Sequence, residues 1–346
     1  MWCEALQDWH GKMSEQQAPL MWAYIYILNG ACITWAHVLR HSGRPWLQKD
    51  VPLFISTVLI ALPFFLPEQE APMRGVLALA ASFYAIKTRE TITESRFDKE
   101  PLWMKVAGVL ATFSDVQERR PCAPWGPRRF KEIGNEAMKL MFHVGCYLLV
   151  LRLFDERKYI ADWLIPALPF DTWSQLWNQY IRIAFGCIMG CLFAFFSLHV
   201  YGDTLSLIWV IVGFRFPPLM DSPEQSLSVR EFWKRWDTVI QKLLMKNVFK
   251  PARAAQIPFT VAAALTFFAS GLVHILPIVV SRGNDWHAAS YMMTYFIIQF
   301  TVMIAEQPLR VQTWNPWVAR VWTIIHLFGP SYFLVFPTLR IIGIEF

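Results

Sequence analysis

Apolar residues in this chain gather into runs at 20–39, 51–66, 75–86, 137–154, 183–200, 205–214, 257–273, 291–305 and 318–336, with short polar connectors between them. A helix needs about 20 apolar residues to cross a hydrocarbon core of about 30 Å, and the longer runs reach that length unaided. The run at 51–66 contains Pro63 and reads as a kinked or tilted span. The pattern predicts an all-α polytopic membrane protein with about eight transmembrane helices and one amphipathic interfacial helix. Because the runs recur from end to end, residues 1–346 read as a single integral-membrane domain.

The amphipathic helix starts near Ser228, which has capping-box spacing to Glu231. Phe232, Trp233, Trp236, Val239, Ile240, Leu243 and Leu244 recur at three- and four-residue intervals, while Arg230, Lys234, Arg235, Gln241 and Lys242 fill the other side. Asp237 falls on the apolar side, where a carboxylate must be paired, hydrogen-bonded or protonated through desolvation. Downstream, His274 follows an uncharged run and three small residues, Ala269, Ser270 and Gly271. An ionisable group inside a span faces the bundle or a wet cavity, and small residues before it let another element come close.

The connectors add topology. Residues 87–131 are polar and basic, with Arg89, Arg96, Arg119, Arg120, Arg128 and Arg129, and are expected on the cytosolic side; the moderately apolar segment 102–113 interrupts them. Residues 163–177, with Pro166 and Pro169, read as an interfacial loop or re-entrant piece, and Tyr201-Gly202-Asp203-Thr204 as a tight turn between two spans. The first eighteen residues lack a basic leader, and the long apolar stretch after them is expected to remain as a span.

With 55% hydrophobic and 17% charged residues and a mean hydropathy of +0.32, the chain falls outside ordinary soluble domains. The net charge of +6 then marks loops facing the cytosol rather than a nucleic-acid surface, since no nucleic-acid motif accompanies it. Six cysteines without a CxxC pair read as small apolar residues. His37 and His41 lie one turn apart, but no further histidine boxes follow, so no metal ligands are assigned. His143, alone on its span, reads as structural, and Glu306, beside Gln307-Pro308, as a carboxylate snorkelling at a span end.

The run PPLMDSPEQSLSVREFWKRWD, followed about forty residues later by SGLVH, resembles the membrane-bound O-acyltransferase superfamily, in particular its wax-synthase-like branch, over a core of about 217–310. FWKRWD is one residue shorter than the usual pattern of that branch and closer to the wider superfamily. The resemblance implies His274 as an essential histidine and Asp237 as the polar residue after the tryptophan. It also implies acyl-CoA, with acetyl-CoA favoured, as a co-substrate rather than a resident cofactor, and a lipophilic alcohol such as a terpenoid or polyketide as acceptor. A histidine can take the alcohol proton during attack on the thioester. Arg235, Lys246, Lys250 and Arg253 stand where CoA phosphates would enter. The implied setting is a multi-pass protein of the endoplasmic reticulum or another endomembrane, with acyl-CoA, a lipophilic alcohol and the bilayer as partners and no nucleic acid. Transfer to a long-chain alcohol is the nearest alternative; a terpene cyclase with Asp237 as acid is another. A transporter is disfavoured because the halves show no relation.

Overall fold

In a computed structural model of the chain the described residues are 120–156, 175–215, 217–281 and 285–341, with scattered positions between 54 and 86. The expected span at 20–39, its His37 and His41, the segment 102–113 and residues 163–174 lie outside them.

Five stretches among the described residues are long and apolar enough to cross a membrane. They are helix α1, Pro127–Asp155; α2, Gln175–Val212; α6, Phe259–Ser281; α7, Trp286–Leu309; and the pair α8, Pro316–Phe328, and α9, Tyr332–Ile341, linked by a single 3₁₀ turn at Gly329–Ser331. Between α2 and α6 lie three short helices, α3, Val229–Arg235, α4, Thr238–Leu244, and α5, Lys250–Ala254. The protein is an all-α multi-pass membrane protein. A two-residue antiparallel pair, β1 Arg120–Pro121 with β2 Phe214–Arg215, ties the start of α1 to the end of α2. Positions 74–75, 77–83 and 85–86 are helical, with Ala78 buried and accepting from Ser82 Oγ at 2.8 Å.

By packing, the chain divides into two compact units: Met1–Arg119 with Val273–Asp285, and Arg120–Leu272 with Trp286–Phe346. Helix α6 passes from the second into the first between Leu272 and Val273.

Two sequence expectations change. Residues 201–204 form no turn: α2 runs unbroken for 38 residues, and Thr204 Oγ1 bonds back to the Val200 carbonyl at 2.7 Å. A polar cluster inside a span is kept helical because every backbone group there is satisfied within the helix. The basic stretch 87–131 also ends early, since Pro127 at the first helical position starts α1. Arg129 then turns inward. Its Nη2 donates to the Ile211 carbonyl at 2.9 Å, its Nη1 to the Ala123 carbonyl at 3.3 Å, and its guanidinium lies 4.5 Å over the Trp125 ring. A buried arginine thereby caps the carbonyl end of α2, where the dipole favours a cation. The chain leaves α2 through Gly213 at φ 122°, where a side chain would be strained and its Cβ would stand 3.3 Å from Arg129 Nη2.

Gly271 serves closer packing. A Cβ there would meet Met293 Sδ at 2.9 Å and Phe296 Cγ at 3.5 Å, so the small residues expected to admit a neighbour admit α7.

Candidate functional site

The capping box forms where expected: Glu231 N–H donates to Ser228 Oγ at 3.0 Å, and Glu231 Oε2 reaches back to the Leu227 N–H at 2.8 Å. The orphan donors of α3 find a more distant partner. Glu306 of α7 accepts from Val229 N–H at 2.8 Å and Arg230 N–H at 3.1 Å, and from Trp322 Nε1–H at 3.0 Å. It is buried, so the snorkelling expected of it does not occur; two donors at the N-terminus of α3 and the Trp322 indole of α8 satisfy its charge. Gln299, one of the least exposed side chains, accepts from Trp233 Nε1–H at 3.2 Å and donates to the His326 carbonyl at 2.9 Å. Trp233 also stands edge-on to Phe267 and Tyr295 and tilted against Phe296. Each such aromatic pair adds roughly 0.5–1.5 kcal/mol beyond its buried area, so α3 is seated firmly on α6 and α7.

The single amphipathic helix expected here is broken in the middle. Trp236 is extended, and Asp237 takes the left-handed conformation at φ 39°. The cause is the loop before α3. Leu219 O accepts the Thr238 N–H at 2.8 Å, and Asp221 N–H donates to Arg235 O at 2.9 Å, so the loop backbone satisfies the groups a break would expose. Thr238 Oγ1 adds a bond to Pro218 O at 2.8 Å. Asp237 becomes the N-cap of α4, its Oδ1 accepting from Ile240 N–H at 3.1 Å. Burial pushes its carboxyl up to about 6, against the pull of the Ile240 and Val239 N–H groups. Of the three fates expected for this carboxylate, hydrogen bonding and desolvation both apply.

His274 lies half-buried in α6, three residues before Pro277. Pro277 has no N–H for the Val273 carbonyl, so the helix ladder is interrupted beside the histidine. Asp237 and His274 fall in different compact units.

The four bases proposed for phosphate separate. Arg235 is committed to Glu231 through Nε at 3.0 Å and Nη2 at 2.7 Å. Lys246 sits in a π turn, Met245–Phe249, that joins α4 to α5. Lys250 and Arg253 are exposed on α5, Arg253 donating to the Ile257 carbonyl at 2.6 Å.

Sequence reasoning missed a second cluster. His143 of α1 donates from Nδ1 to Asp203 Oδ2 of α2 at 2.5 Å, and its ring stacks on His199 at 4.2 Å between centroids. The signal was the four-residue spacing from His199 to Asp203, hidden by reading Asp203 into a turn.

Residues 216–298, which hold α3 to α5, Asp237 and His274, match the membrane bound O-acyl transferase family. Through this segment the chain is similar to that family. Curated relatives carry a likeness of the same kind. A probable long-chain-alcohol O-fatty-acyltransferase 8 of Arabidopsis thaliana is 25% identical over 42% of this chain and 48% of its own length. Acetyltransferase aurG of Calcarisporium arbuscula is 28% identical over 42% of this chain and 41% of its own. A probable long-chain-alcohol O-fatty-acyltransferase 3 of Arabidopsis thaliana is 22% identical over 70% and 69%. The chain spans about half the length of the first of these relatives. Within the matched segment, the loop 217–221 and the break at Asp237 form one backbone-bonded unit.

Proposed function

We propose that the protein is an O-acyltransferase that moves an acyl group from acyl-CoA to the hydroxyl of a lipophilic acceptor at the membrane. The observation that carries this reading is the family match over 216–298, which contains both ionisable residues in apolar surroundings. The alcohol oxygen attacks the thioester carbonyl while His274 takes its proton. The C–S bond then breaks, and the CoA thiolate leaves with the proton returned by the imidazolium, giving ester and free CoA. Asp237 holds the acceptor or the thioester in place. Its carboxyl, held near 6, is half-way to neutral in mildly acid solution and can donate or accept a hydrogen bond to either. Lys250 and Arg253, both exposed, are the bases best placed to meet CoA phosphates, whereas Arg235 is held by Glu231.

Acetyl transfer to a terpenoid or polyketide hydroxyl is the favoured chemistry, in keeping with the FWKRWD spacing and the relative named as an acetyltransferase. Wax-ester formation is the second reading, favoured by the relatives named for long-chain alcohols. The endoplasmic reticulum is the proposed location. Membranes carrying the wild type or His274→Ala, given labelled acetyl-CoA or long-chain acyl-CoA with mixed lipophilic alcohols, test the proposal. Label entering an ester only with the wild type is expected, and the preferred donor separates the two readings. Equal transfer by His274→Ala would remove the histidine from its role, and no transfer by inserted wild type with any pair would remove the acyltransferase reading.

A further inference from the structure

Inside the membrane-spanning pair α1 and α2 lies a group of polar side chains that acyl transfer does not use: His143, His199 and Asp203. One ligating atom from each lies within 4.8 Å of the others. His143 Nδ1–H and Asp203 Oδ2 bond to each other, but that contact uses only one atom from each. Among the described residues, nothing hydrogen-bonds to His143 Nε2, to Asp203 Oδ1, or to either nitrogen of His199, although all three side chains are half-buried in spans. The surroundings are aromatic: Phe142 meets the His143 ring edge-on at 5.3 Å, and Phe195 meets His199 at 4.5 Å. Phenylalanine rings offer these nitrogens no hydrogen bond, and leaving polar groups in such a place without partners is costly.

We propose that His143, His199 and Asp203 form a binding site for a divalent transition-metal cation that pins α1 to α2. Two imidazoles and one carboxylate are the donor set of zinc and ferrous sites, whereas magnesium and calcium take oxygen ligands. Three protein ligands leave a further coordination position for water or a small ligand. The spacing suits the role: His199 and Asp203 stand one helical turn apart on one face of α2, and His143 reaches across from α1. Ligation through His143 Nδ1 moves the ring proton from Nδ1, where Asp203 now accepts it, to Nε2, so the imidazole binds neutral and no net proton is lost. It also turns the His199 ring out of its stack, so that a nitrogen, not the ring face, meets the cation. The consequence extends toward the candidate active site. Phe195, in contact with His199, also lies 6.0 Å from the Trp236 ring, next to Asp237, so the clamp holds the part of α2 that backs this segment.

The test uses the full chain with an affinity tag free of histidine, purified in detergent, equilibrated with Zn²⁺ and desalted, with metal measured by mass spectrometry. The wild type should retain about one zinc per chain, and His143→Ala/His199→Ala less than a tenth of that, while His287→Ala, at an exposed histidine, retains the wild-type amount. Zinc should also raise the unfolding temperature of the wild type reversibly with chelator, and leave the double variant unmoved. Asp203→Asn, which still offers an acceptor to His143, covers the case in which the double variant does not fold; a tenfold or greater loss of zinc is expected. Zinc retention by the wild type no greater than magnesium retention would overturn the site, as would equal retention by either folded variant.

Discussion

Replacing Asp237 by Asn should make the protein more stable at neutral pH while damaging transfer. The carboxyl sits at about 6 instead of its ordinary 3.8, because burial disfavours its charged form. That displacement corresponds to roughly 3 kcal/mol. The sign follows from proton linkage. Between pH 3.8 and 6 the folded chain holds a proton that the unfolded chain releases, so stability falls as pH rises through this window, and above it the full cost of a buried charge is present. Asparagine keeps what the backbone needs: a side-chain oxygen for the Ile240 N–H and tolerance of φ 39°. It removes only the charge. Thermal or denaturant unfolding in detergent should therefore place Asp237→Asn above the wild type by up to roughly 3 kcal/mol at pH 7.5, the gap closing below about 1 kcal/mol at pH 4. Asp237→Ala should go the other way, losing about 1 kcal/mol of cap and about as much again to strain at the left-handed position. An Asn variant no more stable than the wild type at pH 7.5, or an advantage that ignores pH, would refute the reasoning. An Asn variant with full transfer activity would show that the charge has no task.

Three further outcomes are expected. Glu306→Ala strands the Val229, Arg230 and Trp322 N–H donors and should lower stability by roughly 3 kcal/mol or more, with Glu306→Gln losing about half as much; unfolding temperature checks both. Gly271→Leu should prise α6 from α7 and lower the yield of folded protein in a size-exclusion assay, whereas Gly271→Ala, which meets the flexible end of Met293, should be mild, at about 1 kcal/mol. Lys250→Gln/Arg253→Gln should raise the KM for acyl-CoA at little change in kcat, while Arg235→Gln, which frees Glu231 and the Asp221 carbonyl, should leave that KM near its wild-type value.

The long crossings could be read from sequence because one-dimensional apolar length is enough to predict them, as in α6 and α7. The Ser228 and Glu231 box was legible for the same reason: both partners lie within four residues. What the sequence hid depends on distant partners. The break at Asp237 is set by loop backbone at Leu219 and Asp221, so periodicity alone ran the helix straight through it. Glu306 looks like a span-end carboxylate until the N-terminus of α3, some 77 residues earlier in the chain, is set against it. Asp203 carries a strong local turn signal that the membrane environment overrides, because a turn there would expose backbone groups to lipid.

Three carboxylates in apolar surroundings are treated differently, and the contrast singles out Asp237. Glu306 receives three N–H donors from two helices and serves as a structural anchor. Asp203 is matched by an imidazole at 2.5 Å. Asp237 has only N–H groups from its own next turn, sits at a positive φ, and has its ionised form disfavoured by burial. Asparagine would meet its backbone duties without the electrostatic cost. A sequence that keeps a strained, poorly compensated carboxylate where a neutral isostere would fold better is one in which local stability has yielded to another requirement, and such departures concentrate at functional sites. That reasoning ranks Asp237 above Glu306 as a participant in chemistry, although Glu306 is the more deeply bonded of the two.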